Sequence, residues 1–192
     1  MTGEAEVKAR IEDREDLLRR IEAIGGGFVR EGAQEDLYFR HPCRDLKGRD
    51  EALRLRREGK NYTLTFKGRR VGKGAKIREE LEVRVDDFEG MVALLERLGF
   101  EEVFVIKKRR REFTVDMATV ALDSVDGLGE FVEIEVMITA GEGEGGEAKR
   151  IEAFKNKLFS IADRLGIPRE RLTTESYLEL LASKSSSSKA LR

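Results

Sequence analysis

Ionisable residues recur along this chain at a spacing of two, and that spacing decides what chemistry they can share. Glu4, Glu6 and Lys8 alternate with Ala5, Val7 and Ala9; Arg54 and Arg56 alternate with Leu53 and Leu55; Thr63, Thr65 and Lys67 alternate with Tyr62, Leu64 and Phe66. Arg78, Glu80, Glu82 and Arg84 stand against Ile77, Leu81, Val83 and Val85, and Glu133 and Glu135 against Val132, Ile134, Val136 and Ile138. Lys108, Arg110 and Glu112 share one phase and Arg111 and Phe113 the other, while Asp123 keeps step with Thr119 and Ala121 opposite Val120 and Leu122. Period two is the signature of a strand, so each segment presents a charged row and an apolar row on opposite faces. Rows of carboxylates supply oxygen ligands for hard divalent cations. Rows of arginine and lysine grip anionic oxygens, and the excess of 24 Arg over 13 Lys favours the bidentate fork.

With the segment 27–40 included, about eight strands can be placed, the number at which an antiparallel sheet closes into a barrel. Helical periodicity fills the intervals. Asp13 caps a helix carrying Leu17, Leu18, Ile21 and Ile24 and stopped by Gly25 to Gly27. A second follows Asp86 and Asp87, its face made by Met91, Leu94, Leu95 and Leu98 before Gly99. A third runs from about Glu147 with Ile151, Phe154, Leu158, Ile161 and Leu165, and breaks at Gly166 to Pro168. A short last helix spans Thr174 to Ala182, Gly141 to Gly146 read as a loop, and residues 183–192 form a Ser- and Lys-rich tail expected to be disordered. The expected organisation is one domain over 1–182.

A charged strand face ordinarily meets bulk water while the apolar face packs on helices. Here nearly every strand repeats the pattern, and amphipathic helices are available to cover an outer apolar face. Closing the sheet turns the charged face inward, placing eight acids (Glu4, Glu6, Glu80, Glu82, Glu112, Asp123, Glu133 and Glu135) against eight bases (Lys8, Arg54, Arg56, Lys67, Arg78, Arg84, Lys108 and Arg110). Burying each unpaired ion costs several kcal/mol, so such an interior cannot be an ordinary core. A hydrated tunnel that binds an ionic ligand explains it. Two magnesium ions add about four positive charges and a triphosphate about four negative, which leaves the balance intact.

Composition removes other classes. The 192 residues hold 37 Lys+Arg against 38 Asp+Glu, with 39% charged and 40% hydrophobic residues, which speaks against a basic nucleic-acid coat. The one dense basic run, Lys107 to Arg111, lacks interleaved aromatics, so no nucleic-acid partner is expected. Cys43 and His41 are the sole residues of their types and build neither a disulfide nor a zinc site. No apolar run approaches a membrane span and the N-terminus lacks a signal-peptide stretch, so the expected location is cytoplasmic with no membrane partner.

Glu4-Ala-Glu6-Val-Lys8 resembles the Glu-x-Glu-x-Lys signature of the triphosphate tunnel metalloenzymes, the CYTH superfamily, which unites class IV adenylate cyclases with thiamine triphosphatases and related phosphatases. Arg54-Leu-Arg56, Leu64 to Gly68, Arg78 to Glu82, Lys108 to Arg110 and Asp123 to Glu135 resemble the strands that follow in that family, in order. Tyr38 to Arg54 and Thr173 to Leu181 are similar to the cyclase branch and its archaeal relatives.

The resemblance implies an α+β fold, a closed eight-stranded antiparallel barrel with a charged triphosphate tunnel and helices outside. It implies a Mg2+- or Mn2+-dependent enzyme. Lys8, Arg54, Arg56, Lys67, Lys108 and Arg110 would bind phosphate, with Lys8, Arg56 and Lys67 as the catalytic members. Glu4, Glu6, Asp123, Glu133, Glu135 and Glu82 would hold metal, while Arg78, Arg84 and Glu112 stand as structural ion pairs. The expected reaction converts ATP to cyclic AMP and pyrophosphate. The rivals are a metal-dependent triphosphatase acting on tripolyphosphate, thiamine triphosphate or a nucleoside triphosphate, and a non-catalytic polyphosphate or nucleotide binder. A homodimer is compatible with either.

Overall fold

Strand alternation and barrel closure together dictate the architecture. The structure is a computed structural model that describes residues 3–71, 76–138 and 147–189. The chain runs β1 (Gly3–Arg10), α1 (Arg14–Ala23), β2 (Gly27–Arg40), β3 (Ala52–Glu58), β4 (Asn61–Lys67), β5 (Lys76–Val85), α2 (Phe88–Arg97), β6 (Glu101–Val115), β7 (Ala118–Val125), β8 (Gly129–Ile138), α3 (Glu147–Arg164), a 3-10 turn (Arg169–Arg171) and α4 (Tyr177–Lys189). The strands close in the order β1-β5-β4-β3-β2-β6-β7-β8. Every ladder is antiparallel, and β8 returns to pair with β1, Glu6 opposite Glu135 and Lys8 opposite Glu133. Closure leaves no open sheet edge. The expected barrel with external helices is therefore the observed fold.

The helices start and stop where local chemistry directs them. Asp13 accepts the Asp16 amide at 2.8 Å and Asp87 the Gly90 amide at 3.0 Å, each satisfying a backbone donor that the first helical turn leaves orphaned. Gly25 and Gly99 follow α1 and α2 with φ of 83° and 88°, a left-handed geometry that a side chain would oppose.

Three apolar clusters clamp the barrel. Leu17, Leu18 and Ile21 of α1 and Leu158, Ile161 and Leu165 of α3 cover the outer side chains of β1, β7 and β8, among them Val7, Val120, Leu122 and Ile134. Helix α2 covers Leu37, Phe39 and Leu55, but it does so with Phe88 and Leu95, aided by Met91 and Val92. Leu94 and Leu98, expected on the buried face, are 51% and 61% exposed because the helix is rotated to seat Phe88 at its first turn. The third cluster joins Tyr177 and Leu181 of α4 to Ile106, Val125, Leu128 and Phe131. Ile106 pairs with Asp36 and Phe131 with Asp123 across their ladders. Cross-strand partners share a face, so α4 stoppers the barrel at that end.

Helix α4 begins at Tyr177 and not at Thr174. The stretch from 183, expected as a disordered tail, is helical as far as Lys189, and 190–192 lie outside the described residues, as does the 141–146 loop. Among the described residues no helix is long and apolar enough to cross a membrane.

Because α3 holds the site-bearing strands β1 and β8 from outside, Leu158→Ala is expected to cost about 2–5 kcal/mol of unfolding free energy. Leu98→Ala should change it by no more than about 0.5 kcal/mol. Urea denaturation of the two variants checks this, and equal losses would show that the exterior packing does not stabilise the barrel as described.

Candidate triphosphate tunnel

Closure turns the charged rows into the wall of a cavity of about 380 Å³. Of the sixteen charged residues that alternation assigns to the inner face, all but Asp123 line it. Asp123 is fully buried, with its carboxylate engaged by three neighbours. The expected phosphate-binding set of Lys8, Arg54, Arg56, Lys67, Lys108 and Arg110 is therefore brought together on one interior.

Two ionic groups divide that interior. On the β1, β6, β7 and β8 side, Arg110 donates to Asp123 at 2.8 and 2.6 Å and to Glu133 at 2.6 Å, and Lys108 donates to Asp123 at 3.0 Å. Lys8 bridges Glu6 at 2.7 Å and Glu133 at 3.3 Å. Tyr177 donates its hydroxyl to Asp123 at 2.9 Å, and its ring lies 5.1 Å from both the Lys8 and the Lys108 ammonium. On the opposite side Arg56 grips Asp36 with two bonds of 2.6 and 2.7 Å, Arg54 donates to Thr65 at 3.1 Å, and Lys67 is shared between Glu4, at 3.2 Å, and Glu80.

These pairs move the titrations apart. Burial would push Glu133 up, but Arg110, Lys8 and Lys108 hold it well below the usual carboxylate range. At Glu135 burial, then Glu133, then Glu6 opposite it outweigh Arg110 and Lys67 and push its carboxyl up to about 7. Burial also raises Glu4, and the Lys67 ammonium does not offset the hydrogen bond with Glu80 and the repulsion from Glu6 and Glu80. Burial and the adjoining Arg110 bring Lys108 down to about 8 despite Asp123. A cluster whose carboxylates disfavour ionisation together is a place where a divalent cation lowers the energy.

The metal-ligand expectations sort accordingly. Among the described residues no group of three carboxylates is drawn together closely enough to enclose a cation. Glu4 and Glu135 each feel the charge of Glu6, and the three offer oxygen donors of the kind a hard divalent ion takes. Both Asp123 oxygens are occupied, so ligation by Asp123 requires its pairs to part. Glu82 is exposed and lies near Thr65 at 3.4 Å; the β5 residue that joins Glu4 is Glu80, two positions earlier on the same face.

Several lining residues escaped the sequence reading. Strand β2 carries charges on both faces, Arg30 and Asp36 inside but Glu31 and Glu35 outside, so charge alone does not phase it. The Leu37 and Phe39 pair was the available signal, placing Asp36 and Tyr38 inward. Gln34, on the Asp36 face, is 2% exposed with neither amide atom bonded. The Nε atoms of Arg54 and Arg78 are likewise buried without partners, although Arg78 had been set aside as a structural pair. Arg78 pairs with Asp50 at 3.7 Å. Arg57 and Arg111 also have unbonded Nε atoms, but their guanidinium groups lie over Phe88 at 3.9 Å and Phe113 at 5.3 Å on the outer surface. The tunnel donors have no such explanation, and unsatisfied buried donors point to a missing acceptor.

Asp36 provides a test of the ionic wall. Burial alone would raise it, yet Arg56 and then Arg54 hold it far below an ordinary aspartate. A depressed folded pKa stabilises above the unfolded value of about 3.9, and the contribution is lost as pH falls further. Asp36→Asn is expected to lower stability by about 3–5 kcal/mol at pH 7. Urea unfolding at pH 7 and pH 3 should show the deficit shrinking at the lower pH. A deficit that grows on acidification would show that Asp36 is not held as its anion.

Known proteins resemble this chain over nearly its whole length. A candidate adenylate cyclase of Methanocaldococcus jannaschii is 34% identical over 177 residues, covering 92% of this chain and 97% of the relative. Adenylate cyclase CyaB of Aeromonas hydrophila is 27% identical over 178 residues, covering 92% of this chain and 87% of the relative. A solved structure from Pyrococcus horikoshii superposes with a TM-score of 0.80 at 35% identity, over 94% of this chain and 99% of that one. The CYTH domain matches residues 3–177, and with a closed, charge-lined barrel over the same span the chain belongs to the CYTH family.

Proposed function

We propose that this protein is a divalent-metal-dependent adenylate cyclase that converts ATP to cyclic AMP and pyrophosphate inside the barrel. The observation that carries the reading is a closed tunnel in which the buried Nε atoms of the lining residues Arg54 and Arg78 have no acceptor of their own. A triphosphate supplies many oxygens in a row and satisfies several donors at once. The names borne by the M. jannaschii and A. hydrophila relatives favour cyclisation.

Each side chain then has a task that follows from its place. Arg54 and Arg56 point from one strand face and hold adjacent phosphate oxygens, while Lys8, Lys67, Lys108 and Arg110 line the path and offset charge that builds up on the leaving pyrophosphate. Asp36 and Asp123 keep Arg56 and Arg110 aimed. Glu4, Glu6 and Glu135 would hold the divalent cation, with Glu133 adjoining; when bound, the ion neutralises phosphate charge and makes the attacking hydroxyl more acidic. Attack by the ribose 3′-hydroxyl on the α-phosphorus forms the cyclic ester and breaks the bond to the pyrophosphate oxygen.

A triphosphatase is the second reading, and a specific feature favours it: the tunnel wall is polar on every strand, so a bare triphosphate meets all its needs there. Hydrolysis needs only a positioned water. A non-catalytic polyphosphate binder uses the same clamp without turnover.

Incubation of pure protein with ATP and Mn2+, followed by nucleotide separation and phosphorus NMR, is expected to show cyclic AMP and pyrophosphate. Inorganic phosphate without cyclic AMP, or cleavage of tripolyphosphate with ATP untouched, would transfer the assignment to the triphosphatases; no product from any triphosphate would favour the binder.

The roles within the tunnel are tested by substitution. Glu6→Gln and Glu135→Gln should each abolish turnover with Mg2+ while circular dichroism stays that of the parent, and full activity in excess EDTA would remove the metal requirement. Arg54→Ala should raise KM and lower kcat together, because the contact strengthens as charge shifts, and Arg54→Lys should recover only part, having the charge without the fork. Parental kinetics for Arg54→Ala would exclude Arg54 from the clamp.

A further inference from the structure

A second cavity, of about 400 Å³, adjoins the tunnel at the end stoppered by α4. Its size falls in the range of about 300–1,000 Å³ usual for small-molecule sites. Tyr38, Ala52, Arg78, Ser176 and Leu178 line both cavities, so the two spaces meet at a common wall. Their chemistry differs sharply. The tunnel is ionic, whereas Leu46, Leu53, Val103, Phe104 and Leu178 give the second cavity aliphatic and aromatic sides.

We propose that this cavity receives the nucleoside of the triphosphate, an inference that rests on the reading of ATP as substrate. A nucleoside triphosphate has one polyanionic end and one flat, uncharged end joined by a ribose. The tunnel can satisfy the first but offers the base little apolar surface, that of Ala52, Leu178 and the Tyr38 and Tyr177 rings. The neighbouring cavity offers that surface next to the clamp: Tyr38 lies opposite Arg54 on one ladder and opposite Phe104 on the other. Two rings at the junction provide a stacking platform for a base, a contact worth about 1–3 kcal/mol. Charged groups of both signs, Asp45, Asp50, Glu51 and Glu179 beside Arg40, Lys47 and Arg78, also line it and offer partners for the amino and hydroxyl groups of a nucleoside. Polarity therefore assigns each end of the ligand to one cavity.

The pocket is fastened before any ligand arrives. Arg70 joins the β2–β3 connection to α4, pairing with Asp50 at 2.8 Å and with Glu179 at 2.7 Å. Glu179 in turn receives the Ser176 amide at 2.7 Å and its hydroxyl at 2.8 Å, which fixes the start of α4. The connection is shaped locally by Asp45, which accepts the Gly48 amide at 2.9 Å. Walls held in this way lose little ordering entropy on binding. A bare triphosphate has no part that fits this space, so the cavity separates a nucleotide-using tunnel from one that handles polyphosphate alone.

The test compares ATP with tripolyphosphate on the intact chain, by calorimetric titration in Mg2+ with product formation read separately. Ala182→Trp places an indole in the cavity from α4, and Val103→Lys places an ammonium at its edge from a position already 49% exposed. Neither residue belongs to the clamp. Both variants are expected to bind ATP at least about 10-fold more weakly while binding tripolyphosphate within about 2-fold of the parent. Unchanged ATP affinity in a folded Val103→Lys protein overturns the assignment, and so does equal weakening toward both ligands. If the parent binds ATP selectively and the variants lose that selectivity, but only phosphate is released, the pocket stands and cyclisation fails. If the parent forms cyclic AMP and the variants bind ATP as it does, cyclisation stands and the pocket fails.

Discussion

Charge pairing inside a closed sheet is the constraint on which everything else in this molecule depends. Alternation commits every second strand residue to the interior, and closure removes any other face for those residues to occupy. Lys8 is 2% exposed and Asp123 fully buried, so each ion must find a partner within the barrel. It does so across ladders: Arg110 opposite Asp123, Lys8 opposite Glu133, Lys67 opposite Glu80 and Arg56 opposite Asp36. Strand register and ion pairing are thus one specification. A slip of one residue would drive Leu55 and Ile134 into the tunnel and its ions into the helices.

The same reasoning accounts for which parts of the molecule its sequence disclosed. Strand β1 carries its ions in a single phase, and β3, β5 and β8 break phase at one residue each, Arg57, Glu79 and Glu130, so their tunnel residues were legible at once. Strand β2 has ions on both faces, because it pairs with β3 on one side and with the long β6 on the other, where Arg109 and Glu31 form a pair at 2.7 Å on the outside. Asp36 and Gln34 were hidden by that mixture. The segment of Tyr177 was legible as a helix that packs on the barrel, but its bond to the tunnel was not, because that depends on a tertiary fit to Phe131 and Asp123. Local pattern does not report tertiary fit.

Two kinds of carboxylate emerge from one row. Glu133 and Glu135 stand two residues apart on β8, yet bases press the first toward its anion while burial and neighbouring acids press the second toward its neutral form. Environment separates their roles where residue type cannot. Glu133 belongs to the scaffold that holds Arg110 and Lys8. Glu135 and Glu4 are the groups whose ionisation a nearby positive charge would favour most.

That difference bears on how a ligand can enter. A triphosphate alone would bring about four negative charges beside carboxylates such as Glu6 and Glu133, which already occupy Lys8. The anion would have to compete with those acids for the same ammonium. A divalent ion arriving with it would draw on Glu4, Glu6 and Glu135, weakening the hold of Glu6 on Lys8 and releasing that base toward phosphate. On the proposed function, cation and anion would therefore help each other into the tunnel, and such coupling is reciprocal by thermodynamic necessity. The equality of nine acids and nine bases on the wall would be the electrostatic condition for that exchange. A wall rich in bases would bind phosphate without the metal, and a wall rich in acids would bind the metal and exclude the phosphate.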